Sequence, residues 1–261
     1  MTEAQVTYSF LITHYNRPQD LLQCITAIKA LNLTNYEIVV SDDASTDEHL
    51  ALIKTFGIDT LVTADKNRGL AANINKGLKA CHGTYIIYCQ EDFTLSPKLT
   101  QVLEDCQHQL DAGRLDLIRF TANYQFKKLV PVSDAIGLIP KFSFQNFFLN
   151  YYRYSDHPFI TTPSFYERFG YYMEGTSGRY GETEYAIRIC NSNAKLGILY
   201  NTQAQSIAGS ISMLLQEVAA KPKQGIYKSI YKFARALRLY FEWLFYNKNK
   251  RGLITYKNGR A

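Results

Sequence analysis

The strongest constraint on this chain is an alternation of short apolar runs with helical periodicity through its first 120 residues. Residues 6–12 read as a strand. Pro18 suits the first turn of a helix that carries Leu21, Leu22, Ile25, Ile28 and Leu31 on one side. Residues 36–40 form a second predicted strand, 49–56 a short helix and 58–62 a third strand. A helix over 70–81 is closed by Gly83, and 84–89, 97–110 and 115–120 read as strand, helix and strand. The pattern predicts an α/β domain whose central, mostly parallel sheet has helices on both faces. Ligands of such sheets bind beyond the carboxyl ends of the strands, so the chemistry is expected there.

After about residue 121 the pattern changes. Between 142 and 172 thirteen Phe and Tyr residues crowd together without one clean period. Most are expected to pack, and one or two Tyr to contact a substrate. Residues 183–191 look helical, 196–200 look like a strand, and 226–246 carry a long helical pattern after Pro222 and Gly225. The five cysteines are odd in number and lack CxxC spacing, which predicts buried free thiols in a reducing compartment. The sequence shows neither a signal peptide nor an apolar run long enough to cross a membrane, so a cytoplasmic location is expected.

Three predicted strands end in informative polar residues. The first runs into Thr13-His14-Tyr15-Asn16-Arg17, the second into Ser41-Asp42-Asp43-Ala44-Ser45-Thr46-Asp47, and the fourth into Gln90-Glu91-Asp92. Acidic pairs at this edge can hold a divalent cation or accept hydrogen bonds from a ribose or base. Capping of turns and helices would by itself account for any one cluster, but less readily for three in register. Asn67-Arg68-Gly69 opens a helix, where free N–H groups favour anions. The absence of GxGxxG after the first strand and of GxxxxGK[ST] throughout argues against a dinucleotide dehydrogenase and a P-loop NTPase.

The ordered set of 10–17, 40–47, Asn67-x-Gly69-x-x-x-Asn73 and the acidic triplet at 90–92 resembles glycosyltransferase family 2. The resemblance implies an inverting, nucleotide-sugar-dependent transferase with the Rossmann-like GT-A fold. It places Thr13 and Asn16 in the nucleotide pocket, Asp43 at the base or ribose with Asp42 beside it, and Arg68 and Glu91 near the donor. Asp92 corresponds to the last acid of the family's DxD motif and would hold Mn2+ or Mg2+. Gln90 replaces the first acid and brings no charge, so weaker metal affinity is expected. Counting back from Arg188, Glu182 falls on the catalytic carboxylate and Glu184 on the acid after it, although both would also suit a helix N-terminus. The histidine that some relatives supply as a metal ligand is not evident, since Ser206-Ile207-Ala208-Gly209 fills the corresponding region and His157 lies early.

The net charge of +6 is unevenly spread. After residue 220 eleven Lys and Arg face one acid, Glu242, so the tail carries +10 and the first 220 residues −4. Residues 1–220 are expected to form the catalytic domain, with 1–121 binding the nucleotide sugar and 122–220 the acceptor. Residues 221–261 would be a basic amphipathic helical tail suited to an anionic membrane surface, to packing on the catalytic domain or to an oligomer contact. The acidic remainder argues against nucleic acid. The expected acceptor is a carbohydrate or lipid-linked glycan of bacterial surface polysaccharide assembly, with the enzyme cytoplasmic and peripheral on the inner membrane face. Two other classes stand beside this one: a non-catalytic carbohydrate- or nucleotide-binding protein on the same fold, and a phosphatase or nucleotidyltransferase using Asp42 and Asp43.

Overall fold

All seven residues of β1 (Tyr8–His14) are buried, as a strand covered on both faces requires. The computed structural model describes residues 6–175, 178–209, 226–247, 250–251 and 254–255. β1 lies parallel between β2 (Tyr36–Asp42) and β4 (Tyr85–Gln90), and β3 (Thr60–Val62) adds to the far side of β2. The intervening helices are α1 (Pro18–Lys29), α2 (Asp47–Ile53) and α3 (Leu70–Leu78). β5 (Phe93–Leu95) and a 3-10 turn at Pro97–Leu99 then lead into α4 (Thr100–Asp111).

Beyond β6 (Leu117–Arg119) the chain forms β7 (Val130–Pro131), β8 (Ile136–Leu138), β9 (Phe159–Thr161), α5 (Pro163–Phe169), α6 (Gly178–Asn191) and β10 (Leu196–Leu199). β11 (Ala204–Ser206) follows, and α7 (Ile226–Leu244) carries the tail. The main sheet has nine strands in the order β3-β2-β1-β4-β9-β6-β10-β8-β7. β9 sits antiparallel between β4 and β6, and β8 antiparallel against β10. The expected mostly parallel α/β architecture is therefore present, with β7, β8 and β9 as additions that periodicity did not reveal.

Strand alternation sorts the core into two layers. Phe10, Ile12, Ile38 and Val40 face α1 and α4, whose Leu21, Cys24, Ile25, Ile28, Leu103 and Cys106 cover them. Leu11, Val39, Ile86 and Tyr88 face the opposite way, against Ile74 of α3, Phe165 of α5 and Tyr185 and Ile189 of α6. Gly77 lets α3 approach the sheet, because a Cβ there would run into Leu11 and Ser41. All five cysteines are free thiols; Cys24, Cys89, Cys106 and Cys190 are buried and Cys81 is partly so.

The crowded aromatics resolve into 3-10 turns at Phe144–Asn146 and Asn150–Arg153, followed by β9 and α5. Most of the later ones pack, as expected: Tyr172 stacks on Tyr185 at 4.1 Å between ring centroids, and Tyr154 meets Tyr185 edge-on at 5.0 Å. Phe142, Phe144 and Phe148 instead remain exposed. α7 docks on the body: Tyr240 Oη donates to Phe147 O at 2.5 Å, Asn191 Nδ2 donates to Trp243 O at 3.1 Å, and Leu239 packs with Tyr151 and Ile187. No described helix is long and apolar enough to cross a membrane. The tail residues Lys221, Pro222, Lys223, Gly225, Lys248, Lys257 and Arg260 lie outside the described residues.

Candidate active site at the carboxyl edge of the sheet

The parallel strands deliver their polar C-terminal residues to one edge, and the loops there are tied to one another. His14 and Asp42 are directly paired across β1 and β2. The His14 Nε2 accepts the Arg17 N–H at 3.1 Å, so the ring proton sits on Nδ1 and is donated to Asp42 Oδ2 at 2.7 Å. Ser45 adds its N–H to Asp42 Oδ1 at 2.8 Å and its hydroxyl to Oδ2 at 2.5 Å. These hydrogen bonds outweigh the cost of burial and hold the Asp42 carboxyl below its usual range. Asn16 and Ala44 both have positive φ, 54° and 65°, and the Asn16 N–H reaches Ser45 Oγ at 2.8 Å. Non-glycine residues in this conformation are costly and concentrate where a loop must take a set shape.

Two of the expected site residues are committed to contacts within the protein. Asp42 is fully buried and both its side-chain oxygens are engaged by His14 and Ser45, so it shapes the loop. Asn16 Oδ1 accepts from Thr46 N at 2.9 Å and lies 3.0 Å from His49 Nδ1, which commits that side chain to joining the first loop to α2. Thr13 is likewise buried, with its hydroxyl 3.2 Å from Tyr88 Oη.

Asp43 faces the edge differently. Its two oxygens accept Arg68 N and Gly69 N, each at 2.8 Å, where Gly69 has φ 84° and caps α3. The Asn67-Arg68-Gly69 turn is thereby fastened over a cavity of about 560 Å3 lined by Asp43, Val62, Arg68, Asn73, Lys76 and Glu174. That volume lies in the range of small-ligand sites. Lys76 donates to the Asp42 carbonyl, leaving one cationic wall beside the Asp43 carboxylate.

The acidic triplet lies at the end of β4. Burial, reinforced by neighbouring Asp92, pushes the Glu91 carboxyl up to about 8. Burial also raises Asp92, against the pull of Arg17, whose Nη1 lies 3.4 Å from Asp92 Oδ2. Asp92 Oδ1 is sealed from solvent and has no hydrogen-bond partner. Such an acceptor suits a hard cation that takes its remaining ligands from a diphosphate and water. Among the described residues no three His, Cys, Asp or Glu side chains form a closed metal cage, so a cation here would depend on the donor's oxygens. The stretch at Ser206-Ile207, where the expected metal histidine is missing, does return to this place: Ser206 pairs with Phe93, and Ile207 N donates to Asp92 O at 2.8 Å.

Because β9 runs antiparallel between β4 and β6, its entry brings Asp156 and His157 to the same edge. Asp156 N donates to Glu182 Oε1 at 3.4 Å, which puts the first turns of α6 beside this entry. Burial, then the nearby Glu182 carboxylate, pushes Asp156 up to about 8, although its Oδ1 accepts from Tyr172 Oη at 2.8 Å. Burial also raises Glu182, offset by the Asp156 N–H and the charge of Arg119. Arg119, at the end of β6, is fully buried; its Nη1 donates to Tyr152 O at 2.9 Å, while Nε and Nη2 lack partners. His157 sits against Phe93 at 5.3 Å between rings, and burial pushes its pKa down to about 4. Glu182 thus shares the edge with Glu91 and Asp92.

Glu184 does not join it. Two positions along the helix its carboxylate is fully buried, held by Arg188 Nε at 3.0 Å and Nη2 at 2.7 Å and accepting from Tyr246 Oη at 2.5 Å. Sequence reasoning passed over Arg119 and Asp156. The signals were a cation ending an apolar strand and an acid just before His157-Pro158, both hidden among aromatic neighbours.

The model of glycosyl transferase family 2 matches residues 9–174. Among curated proteins, the succinoglycan biosynthesis protein ExoO of Rhizobium meliloti is 28% identical over 116 residues, 42% of this chain and 33% of that protein. The chondroitin synthase of Escherichia coli is 25% identical over 100 residues, 37% of this chain and 15% of that protein. The chain thus matches a third or less of the length of these relatives. Among solved structures, S. aureus TarS 1-349 in complex with UDP-GlcNAc superposes with a TM-score of 0.60 at 16% identity, covering 94% of this chain and 68% of that one. Mannosyltransferase PcManGT from Pyrobaculum calidifontis, in complex with GDP-Man and Mn2+, gives 0.56 at 15% identity, covering 94% and 65%. The likeness in architecture identifies the GT-A fold. With the family match spanning most of the sheet and its edge, the chain belongs to glycosyl transferase family 2.

Proposed function

We propose that the chain transfers a sugar from a nucleoside diphosphate sugar to a glycan hydroxyl with inversion at the anomeric carbon. The observation that carries this reading is the meeting of two kinds of acid at one sheet edge: Asp92, with a sealed and unpartnered oxygen, and Glu182, a half-buried carboxyl beside the entry to β9. The cavity under Asp43 and Arg68 takes the nucleoside. Asp92 holds Mn2+ or Mg2+, which when bound offsets charge on the departing diphosphate. Binding of GDP-Man and Mn2+ by PcManGT, and of UDP-GlcNAc by TarS, supports this donor class.

Glu182 accepts the proton of the acceptor hydroxyl as its oxygen attacks the anomeric carbon, and the bond to the diphosphate oxygen breaks on the opposite side. Arg119 favours the ionised form of Glu182 that this role needs. Glu184 positions α6 through Arg188 and does not act as a base. Residues 1–121 form the donor half and 122–220 the acceptor half, with 221–261 as a basic tail. Relatives named for succinoglycan biosynthesis and chondroitin synthesis favour a place in polysaccharide assembly, with a glycan or lipid-linked glycan acceptor, and the basic tail favours a peripheral position at the inner membrane face.

The test is a panel of UDP- and GDP-sugars with Mn2+ or Mg2+, read by thermal shift and by slow donor hydrolysis. One donor is expected to stabilise the protein and to be hydrolysed only with metal. Asp92→Asn should weaken the metal requirement's half-saturation by at least about 10–100-fold, the range for residues that merely support a metal ligand. Turnover without metal, or an unchanged metal response in Asp92→Asn, contradicts the assignment. Stabilisation without turnover, even with acceptors supplied, would favour a binding protein on the same fold.

A further inference from the structure

α7 presents two apolar faces. One, with Ala236, Leu239 and Trp243, is buried against the body. The other carries Ile230, Phe233, Leu237, Phe241 and Leu244 at helical spacing, each about half exposed or more, with Leu244 at 77%. Beside it stand Phe142, Phe144 and Phe148, with Phe144 at 84% exposure. The two sets are continuous. Phe147 stacks on Phe233 at 6.1 Å between centroids and meets Phe148 edge-on at 5.2 Å, while Phe142 meets Phe144 edge-on at 5.1 Å. Between them lies an open groove of about 520 Å3 lined by Phe142, Phe147, Leu237, Trp243 and Leu244, with Lys141 in its wall. So many large apolar side chains in one exposed strip exceed what an isolated soluble surface ordinarily carries.

The charges around the strip select its occupant. Lys127, Lys128 and Lys141 are exposed on the side of the aromatic loop, and Lys232, Arg235 and Arg238 are exposed on α7. Glu242 is the tail's single acid and pairs with Arg238 at 3.5 Å. An apolar strip along a helix of about 28 Å, edged by cations, fits the headgroup region of an anionic bilayer. We infer that the outer face of α7 and the Phe142–Phe148 loop together form one docking surface for an anionic lipid leaflet. This surface differs from the tail-only contact expected from charge, because three of its eight exposed anchors, Phe142, Phe144 and Phe148, come from the acceptor half of the body.

The placement bears on the acceptor. α7 is fastened to α6 through Asn191 and Trp243, and α6 carries Glu182. Resting on the reading of Glu182 as the base, a leaflet-bound enzyme holds that carboxylate near glycans anchored to lipid and takes such a glycan as its substrate.

The experiment is flotation of the full chain with vesicles of phosphatidylcholine, with and without phosphatidylglycerol, at about 0.15 M salt. Binding is expected only with the anionic lipid. Phe144→Ser and Leu244→Ser should each weaken it about tenfold, the effect of one large apolar anchor. Both side chains are exposed, so the fold and donor hydrolysis without vesicles should be unchanged. Failure to float with anionic vesicles overturns the inference, as does a Phe144→Ser variant that binds like the parent. A dimer in light scattering that Leu244→Ser dissociates, with no lipid binding, would assign the face to a second copy of this chain. Flotation by a protein that hydrolyses no donor would leave this surface standing and remove the enzymatic reading instead.

Discussion

Glu182→Gln is expected to lower kcat for sugar transfer by about 10²–10⁴-fold while leaving donor affinity within a few-fold, because the change removes a proton acceptor and keeps the side chain's size. Gln can still accept the Asp156 N–H now made to Oε1 at 3.4 Å, so the entry to β9 should hold its place. The pH dependence follows from the direction of the Glu182 shift. Burial raises its pKa, and a base works only when ionised, so the rate should rise with pH along a limb displaced above the ordinary carboxylate range. Arg119 lowers that pKa by its charge, so Arg119→Met should carry the limb to still higher pH, whereas Arg119→Lys should carry it less far. Steady-state kinetics across pH on the donor selected by the panel measures both effects. A Glu182→Gln enzyme within tenfold of the parent would remove Glu182 from the role of base.

Arg188→Ala is expected to cost about 3–5 kcal/mol of folding stability, the usual penalty for leaving a buried carboxylate without its partner. Glu184 has no exposed surface, and Arg188 holds both of its oxygens. The same guanidinium satisfies Phe169 O at 3.0 Å and Tyr171 O at 2.8 Å and lies 4.7 Å from the Tyr185 ring centre. One arginine therefore fastens α6 to the end of α5 and the segment after it. Loss of these contacts should lower the urea midpoint with little change in slope. Adding Glu184→Gln to Arg188→Ala should recover part of the loss, since the neutral amide removes the buried charge. A deficit below about 1 kcal/mol, or strict additivity in the double variant, would contradict the account.

These two variants also show which parts of the protein could be foreseen. β1, β2 and β4 are written in the sequence as short apolar runs and α1, α3 and α4 as period-3.6 patterns, and the core layer between the sheet and α1 and α4 follows from them. The edge residues could be placed because parallel strands bring their C-terminal loops together. The contacts that acids of similar appearance make were not legible there. Asp42 and Asp43 are neighbours, yet one turns under the loop to His14 and Ser45 while the other receives the N–H groups of Arg68 and Gly69. Glu182 and Glu184 differ in the same way, one at the edge and one locked to Arg188. Local spacing does not contain that choice, which depends in part on partners distant in the chain: His14 lies 28 residues from Asp42, Arg68 lies 25 from Asp43, and Tyr246 lies 62 from Glu184. β9 was hidden because a three-residue antiparallel strand inside an aromatic stretch has too little length to show a period, and Asp156 was hidden with it.

The most direct test of the central claim is the configuration of the first sugar released when water replaces the acceptor, followed by proton NMR with the metal and donor that the panel identifies. A single displacement at the sheet edge, with Glu182 taking the proton from water, predicts that an α-linked donor first yields the β-sugar, ahead of mutarotation. First release of the α-sugar from such a donor would contradict it.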